Sequence, residues 1–116
     1  RRAATDVEIV LRYRPEIVIT ALGKPGAVAE RVHRYGGLVF SDVNSVKFAR
    51  IAADGGADGL VLVCAGAGGH TGSLSPFAFV SAVRQFFDGP LMVAGGLMTG
   101  RDVRAVELMG FLAKRN

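Results

Sequence analysis

Apolar residues fall along this chain in two alternating patterns. Short unbroken runs, Ile17-Val18-Ile19-Thr20-Ala21, Leu38-Val39-Phe40-Ser41, Gly59-Leu60-Val61-Leu62-Val63-Cys64 and Leu91-Met92-Val93-Ala94, are bounded by glycine, proline or polar residues. Runs of this length and composition predict strands buried on both faces. Between them, apolar positions recur at helical spacing. Val28, Val32 and Tyr35 share one face of a helix from Ala27 to Tyr35, while Glu30, Arg31 and Arg34 face water. Phe79, Val80, Val83, Phe86 and Phe87 likewise oppose Ser81, Arg84, Gln85 and Asp88.

Helix ends are marked as well. Thr5-Asp6-Val7-Glu8 fits a capping box in a first helix over residues 1–14, which Pro15 stops. Gly36-Gly37 close the second helix in the manner of a left-handed cap, and the third, capped by Ser45, runs to about Asp54 and is closed by Gly55-Gly56. Ser75-Pro76 starts the fourth, Asp88-Gly89-Pro90 ends it, and a last helix spans Thr99 to Met109. Asp42-Val43-Asn44 reads as a loop.

A strand followed by a helix, four times over, predicts an α/β fold with a parallel sheet. The strand starts lie 21, 21 and 32 residues apart, and the excess falls in the loop that carries His70. Repeats this short favour a barrel over an open doubly wound sheet. A complete barrel takes about 250 residues, so 116 residues predict a partial (β/α)8 TIM barrel of about four βα units, one incomplete domain over 1–116. Half a barrel has two bare strand edges and an open core, so association, including a homo-oligomer, is expected.

Composition narrows the function classes. Half of the residues are hydrophobic and mean hydropathy is +0.35, yet no apolar run approaches the roughly 20 residues of a membrane span. The first dozen residues lack the apolar centre of a signal peptide. One cysteine forms no internal disulfide and, with two histidines, no zinc set, so a reducing, cytoplasmic setting is expected. The net charge of +4 comes from basic residues scattered over helix surfaces without interleaved aromatics. That is the pattern of solvated faces, not of a nucleic-acid interface.

Barrel enzymes place their sites in the loops after the strands. Four of the seven residues from Gly66 to Gly72 are glycine, and His70 sits among them. Its imidazole is the one group there able to move a proton near neutral pH. On the residues alone it is either a general base or hydrogen-bond donor, or a polar residue in a glycine loop. Gly95-Gly96, between a buried strand and a helix, could turn backbone amides toward a phosphate. Ser41, Asp42 and Asn44 end the second strand and could reach a ligand. His33 reads as an exposed helix residue, Cys64 as packing, Thr20 as a strand end and the phenylalanines as core. No P-loop, dinucleotide fingerprint or nucleophile elbow is present.

Three elements together resemble the nitronate monooxygenase family, also called 2-nitropropane dioxygenases. They are Ala57-Asp58-Gly59 entering a strand, Ala67-Gly68-Gly69-His70-Thr71-Gly72, and Val93-Ala94-Gly95-Gly96-Leu97 with Thr99-Gly100. The similarity runs from Ile17 to Gly110, and flavin-dependent enoyl-acyl-carrier-protein reductases share much of the same motif set. The resemblance implies FMN-dependent (β/α)8 barrels that oxidise alkyl nitronates with O2 to carbonyl compounds and nitrite. It implies His70 as the active-site histidine, Gly68 and Gly69 behind the flavin, Ala94, Gly95 and Gly96 at the FMN phosphate, and Asp42 lining the flavin. Two departures stand out. Gly66 and Ala67 replace an acidic or glutamine residue before Gly-Gly-His, and Phe111 to Asn116 replace Ala-Asp and a strand ending in Gly-Thr. The N-terminal strands that make the flavin's other wall are also missing, so this piece alone is expected to bind FMN poorly. Enoyl-thioester reduction and a non-catalytic half barrel serving as an association module are the alternatives.

Overall fold

The computed structural model describes residues 2–21 and 23–115, with side chains through residue 110. Arg1, Asn116 and the side chains of the divergent 111–116 segment lie outside the described residues. Helices and strands alternate as α1 (Arg2–Tyr13), β1 (Ile17–Ala21), α2 (Gly26–Arg34), β2 (Leu38–Val43), α3 (Val46–Asp54), β3 (Gly59–Val63), α4 (Pro76–Arg84), β4 (Leu91–Ala94) and α5 (Gly100–Arg115). The strands form one sheet in the order β1-β2-β3-β4, each pair parallel. Chain order and sheet order coincide, so the sheet never reverses direction as a doubly wound fold does.

Register supports the barrel reading. β1 and β2 start level, with Ile17 opposite Leu38. β2 meets β3 two residues in, with Phe40 opposite Gly59, and β3 meets β4 one residue in, with Leu60 opposite Leu91. The drift averages one residue per strand, the stagger that eight strands need for a shear of about 8.

Alternation along the strands separates two faces. Leu60, Leu62 and Cys64 from β3 and its end point to the helices and are buried with Phe79, Val80 and Val83 of α4 and Ala49 and Ala52 of α3. Val39 does the same against Ala29 and Val32 of α2. The opposite, concave face is the lumen side of the half barrel. There Ile17, Ile19, Leu38 and Met92 remain 44–57% exposed.

The predicted caps are largely in place. Ser45 accepts from the Phe48 amide and Ser75 from the Ala78 amide. Past α2 the amides of Gly36 and Gly37 donate to His33 and Val32, and past α3 those of Gly56 and Ala57 donate to Ala53 and Ala52. These are Schellman closures, with left-handed Gly36 and Gly56.

Four local expectations are corrected. Thr5-Asp6-Val7-Glu8 lies inside α1, because Glu8 turns outward to a two-pronged ion pair with Arg31 of α2 (2.6 and 3.1 Å). Asp42 and Val43 continue β2, held by pairing with β1 and β3 on both sides. The last helix runs beyond Met109, to Arg115. Arg84 does not reach into water. Its guanidinium donates to the carbonyls of Phe87 (3.1 Å) and Gly89 (2.6 Å) and closes the turn after α4.

His33 is half-exposed but engaged. Its Nε2 lies 2.6 Å from Asp58 Oδ2, and the same oxygen accepts the Val39 amide at 2.7 Å. Asp58 thus ties α2 and the foot of β2 to the entry of β3. Replacing Asp58 by Ala strands the Val39 amide and is expected to lower stability by about 1–3 kcal/mol. His33→Ala removes only a half-exposed pair and is expected to cost about 1 kcal/mol or less. Urea unfolding of both variants checks this ordering, and equal losses would contradict the bridging role of Asp58.

Candidate functional site

The C-terminal ends of the four strands and the loops that follow them enclose a cleft of about 540 Å³. Its floor is the concave face: Ala21 of β1, Asp42 of β2, Val61 and Val63 of β3, and Ala94 of β4. Its rim is Asn44, the start of the glycine loop with His70, and the turn from Gly95 to Leu97. Inward positions on adjacent strands are register partners. Ala21 faces Asp42, Asp42 faces Val61, and Val63 faces Ala94.

The loop after β3 is folded back on its own strand rather than loose. The Cys64 carbonyl accepts from the amides of Ala67 (3.2 Å) and Gly72 (3.4 Å) and from Thr71 Oγ1 (3.4 Å). The Ala65 amide donates to the Leu74 carbonyl at 2.9 Å and draws the neck of the loop together. A Cβ at Gly72 would collide with the Val63 carbonyl, so a side chain there would break this closure. The result is a compact protrusion that carries His70 at an exposed position on the cleft rim.

The turn after β4 packs against this loop backbone to backbone. A Cβ at Gly95 would lie 2.6 Å from the Ala67 nitrogen, and one at Gly66 would lie 3.2 Å from the Gly96 nitrogen. Gly95 and Gly96 both have positive φ (111° and 74°). Among the described residues, neither amide has a backbone acceptor. The first turn of α5 is already occupied. Asp102 Oδ2 accepts from the amides of Met98 (2.9 Å) and Thr99 (2.8 Å), and Thr99 Oγ1 accepts from the Asp102 amide. Those backbone hydrogen bonds hold the Asp102 carboxyl below its ordinary range.

Of the residues singled out in the sequence, the cleft gathers Asp42, Asn44, Gly68, His70, Ala94, Gly95 and Gly96. Gly69 is on the same loop with open space beside it but does not line the cleft. Ser41 is turned the other way. It is 1% exposed on the helix side of β2, paired with Thr20 Oγ1 at 2.8 Å. Cys64 is fully buried, and burial pushes its thiol pKa up, the reverse of what a nucleophile needs. Among the described residues, no cluster of three metal-ligating side chains exists, and no helix is long and apolar enough to cross a membrane. Ala21, Val61 and Val63 are cleft residues that the motifs do not mark. The signal that finds the strand residues is their alternation with the buried helix-facing positions.

Two glycines separate packing from access. Gly95→Ala combines positive φ with a collision against the Ala67 backbone, so a loss of about 1–3 kcal/mol and displacement of the loop are expected. Gly68→Ala meets nothing within 4 Å, so its melting temperature should stay near that of the parent chain. Thermal unfolding of the pair checks the contrast. For Asp102, a depressed folded-state pKa means the interaction contributes stability above the unfolded pKa and loses it as pH falls through the folded one. The Met98 and Thr99 amide resonances should therefore titrate at a pH below the ordinary aspartate range, and Asp102→Asn should abolish that titration.

Comparison with known proteins agrees with the fold. The family model for nitronate monooxygenase matches residues 2–113. The (3aS,4S,5R,7aS)-5-hydroxy-7a-methyl-1-oxo-octahydro-1H-indene-4-carboxyl-CoA dehydrogenase of Mycobacterium tuberculosis is 28% identical over 111 residues, 93% of this chain and 31% of that protein. The structure of FabK from Thermotoga maritima superposes with a TM-score of 0.80 at 27% identity, over 90% of this chain and 33% of FabK. Nitroalkane oxidase from Streptomyces ansochromogenes, at 24% identity, shares the fold with a TM-score of 0.82 over 93% of this chain and 35% of its own. The chain thus spans about a third of the length of these proteins. On the match of the family model over almost its whole length, the chain belongs to the nitronate monooxygenase family.

Proposed function

We propose that the cleft is one wall of an FMN site and that the chain supplies this wall to an oxidoreductase oxidising alkyl nitronates with O2 to carbonyl compounds and nitrite. One observation carries the reading. His70 and the bare Gly95-Gly96 backbone face a single cleft at the strand ends. The residues present fit the cofactor. Amides without backbone acceptors at Gly95 and Gly96 suit a phosphate, and the Met98 and Thr99 amides, held by Asp102, are not needed for it. The empty space beside Gly68 lets a planar ring approach the loop.

When bound, FMN supplies the two-electron redox chemistry. The chain's own contribution is positional and acid–base. His70, exposed on the rim, is placed to hydrogen-bond the nitronate oxygens or to take a proton from the neutral nitroalkane. Its loop is closed by the Cys64 carbonyl, so the imidazole is carried on a fixed base rather than a flexible tether. Val61 and Val63 provide an apolar floor that keeps water from the ligand's underside.

A second reading has its own support. One relative acts on a carboxyl-CoA and another structural relative is FabK, which favours an enoyl-thioester substrate for the same flavin site. Single-turnover experiments with the FMN-loaded chain separate the two. Anaerobic bleaching by an alkyl nitronate selects the first, and bleaching by NAD(P)H with enoyl-thioester turnover selects the second. His70→Ala should leave FMN affinity unchanged and slow nitronate bleaching by about 10²-fold or more. Unchanged bleaching would remove His70 from the chemistry.

A further inference from the structure

We propose that the Asp42 carboxylate fixes the orientation of the ring in the cleft by accepting a hydrogen bond from an imide N–H on the ligand's edge. The proposal rests on the flavin reading above and adds a role for one residue within it. Asp42 is the charged side chain on a floor otherwise made of Ala21, Val61, Val63 and Ala94. Its register partners, Ala21 and Val61, carry no donor. Below it on the same face, the Phe40 ring is packed so closely over Gly59 that a Cβ there would lie 2.6 Å from the ring. Among the described residues, the carboxylate has neither a hydrogen bond nor an ion pair.

A half-buried carboxylate in such surroundings is satisfied by water while the cleft is open. A planar ring laid on Val61 and Val63 displaces that water. The ring must then return a donor, because a carboxylate left without one costs more than a neutral polar group would. The flavin ring has two unlike edges. Its dimethylbenzene edge offers no N–H, and its pyrimidine edge offers the N3 imide N–H between two carbonyls. Asp42 therefore selects the pyrimidine edge for β2 and leaves the benzenoid edge elsewhere.

The spacing agrees with a phosphate at Gly95-Gly96. β2 and β4 are separated by β3, so Asp42 lies roughly 10 Å across the sheet from that turn at about 4.8 Å per strand. A ribityl chain starting at the turn covers that distance. Asn44, one inward step further along the chain and also on the cleft, stands where it can meet an imide carbonyl beside the N–H.

Methylating N3 removes the donor and keeps the ring, the ribityl chain and the phosphate. The test is titration of the chain, and of its Asp42→Leu and Asp42→Asn variants, with FMN and with 3-methyl-FMN, followed by flavin fluorescence, with circular dichroism confirming the fold of each variant. The parent chain should bind FMN at least about tenfold more tightly than 3-methyl-FMN, the discrimination one charge-assisted hydrogen bond supports. Asp42→Leu should bind the two alike, and Asp42→Asn, which keeps an acceptor oxygen, should discriminate by an intermediate factor. FMN binding with equal affinity for both flavins in the parent chain, or with discrimination unchanged in Asp42→Leu, overturns the role of Asp42 and leaves the flavin reading standing. Binding by this one wall is expected to be weak, so the titration runs to high flavin concentration, and no saturable FMN binding by the parent chain there overturns both.

Discussion

The parallel pairing of β2, β3 and β4 is the constraint on which the cleft depends. It sends all the strand ends to one rim, so the residues that follow Val43, Val63 and Ala94 meet although they are far apart in sequence. The Cys64 carbonyl then turns this convergence into a fixed shape. One oxygen at the end of β3 gathers Ala67, Thr71 and Gly72, while the Cys64 amide stays in the ladder to Ala94. A residue that is fully buried on the helix side thereby sets the backbone of the loop on the opposite face. Its thiol contributes packing, and its peptide group contributes the geometry.

Close approach of the two glycine turns is the second consequence. Gly66 and Gly95 each lie where a Cβ would press on the other loop. Their lack of side chains is therefore required by loop-to-loop packing before any ligand is considered. Gly68, with room beside it and no left-handed φ, is the one whose bareness is free to serve a ligand, whereas Gly69 at φ 70° is required by its backbone conformation. A single stretch of sequence thus holds glycines of different kinds, and only the folded backbone and its contacts distinguish them.

That distinction marks how far the chain could be read from its residues. Strand and helix existence was legible throughout, because the apolar runs and helical periodicities are long and the Gly36 and Gly56 closures are local. The grouping of His70, Asp42 and Gly95-Gly96 was legible too, since a parallel sheet puts every following loop on one end. What escaped were features that depend on partners distant in sequence. Thr5 to Glu8 has the local signature of a helix start, yet Glu8 is held by Arg31, 23 residues on. Asp42 and Val43 look like a turn after a short run, but pairing on both sides keeps them in the strand. Ser41 and Asp42 are adjacent and both polar, and only the pleat decides that one meets Thr20 and the other meets the cleft.

The concave face brings stability and function into conflict. A closed globular chain of 12.2 kDa would expose about 6,000 Å², whereas this one exposes 7474 Å². Part of the surplus falls on inward-pointing strand residues, Ile17, Ile19, Leu38 and Met92, which a complete barrel would bury in its lumen. The cleft stands at the mouth of that same lumen, floored by the next residues along the same inward rows. Whatever covers Ile19 and Met92 therefore also builds the facing wall of the cleft. Closure of the core and completion of the site are one event in this architecture. A substitution that weakens lumen packing at Ile19 or Met92 should then disturb ligand binding even though neither side chain lines the cleft.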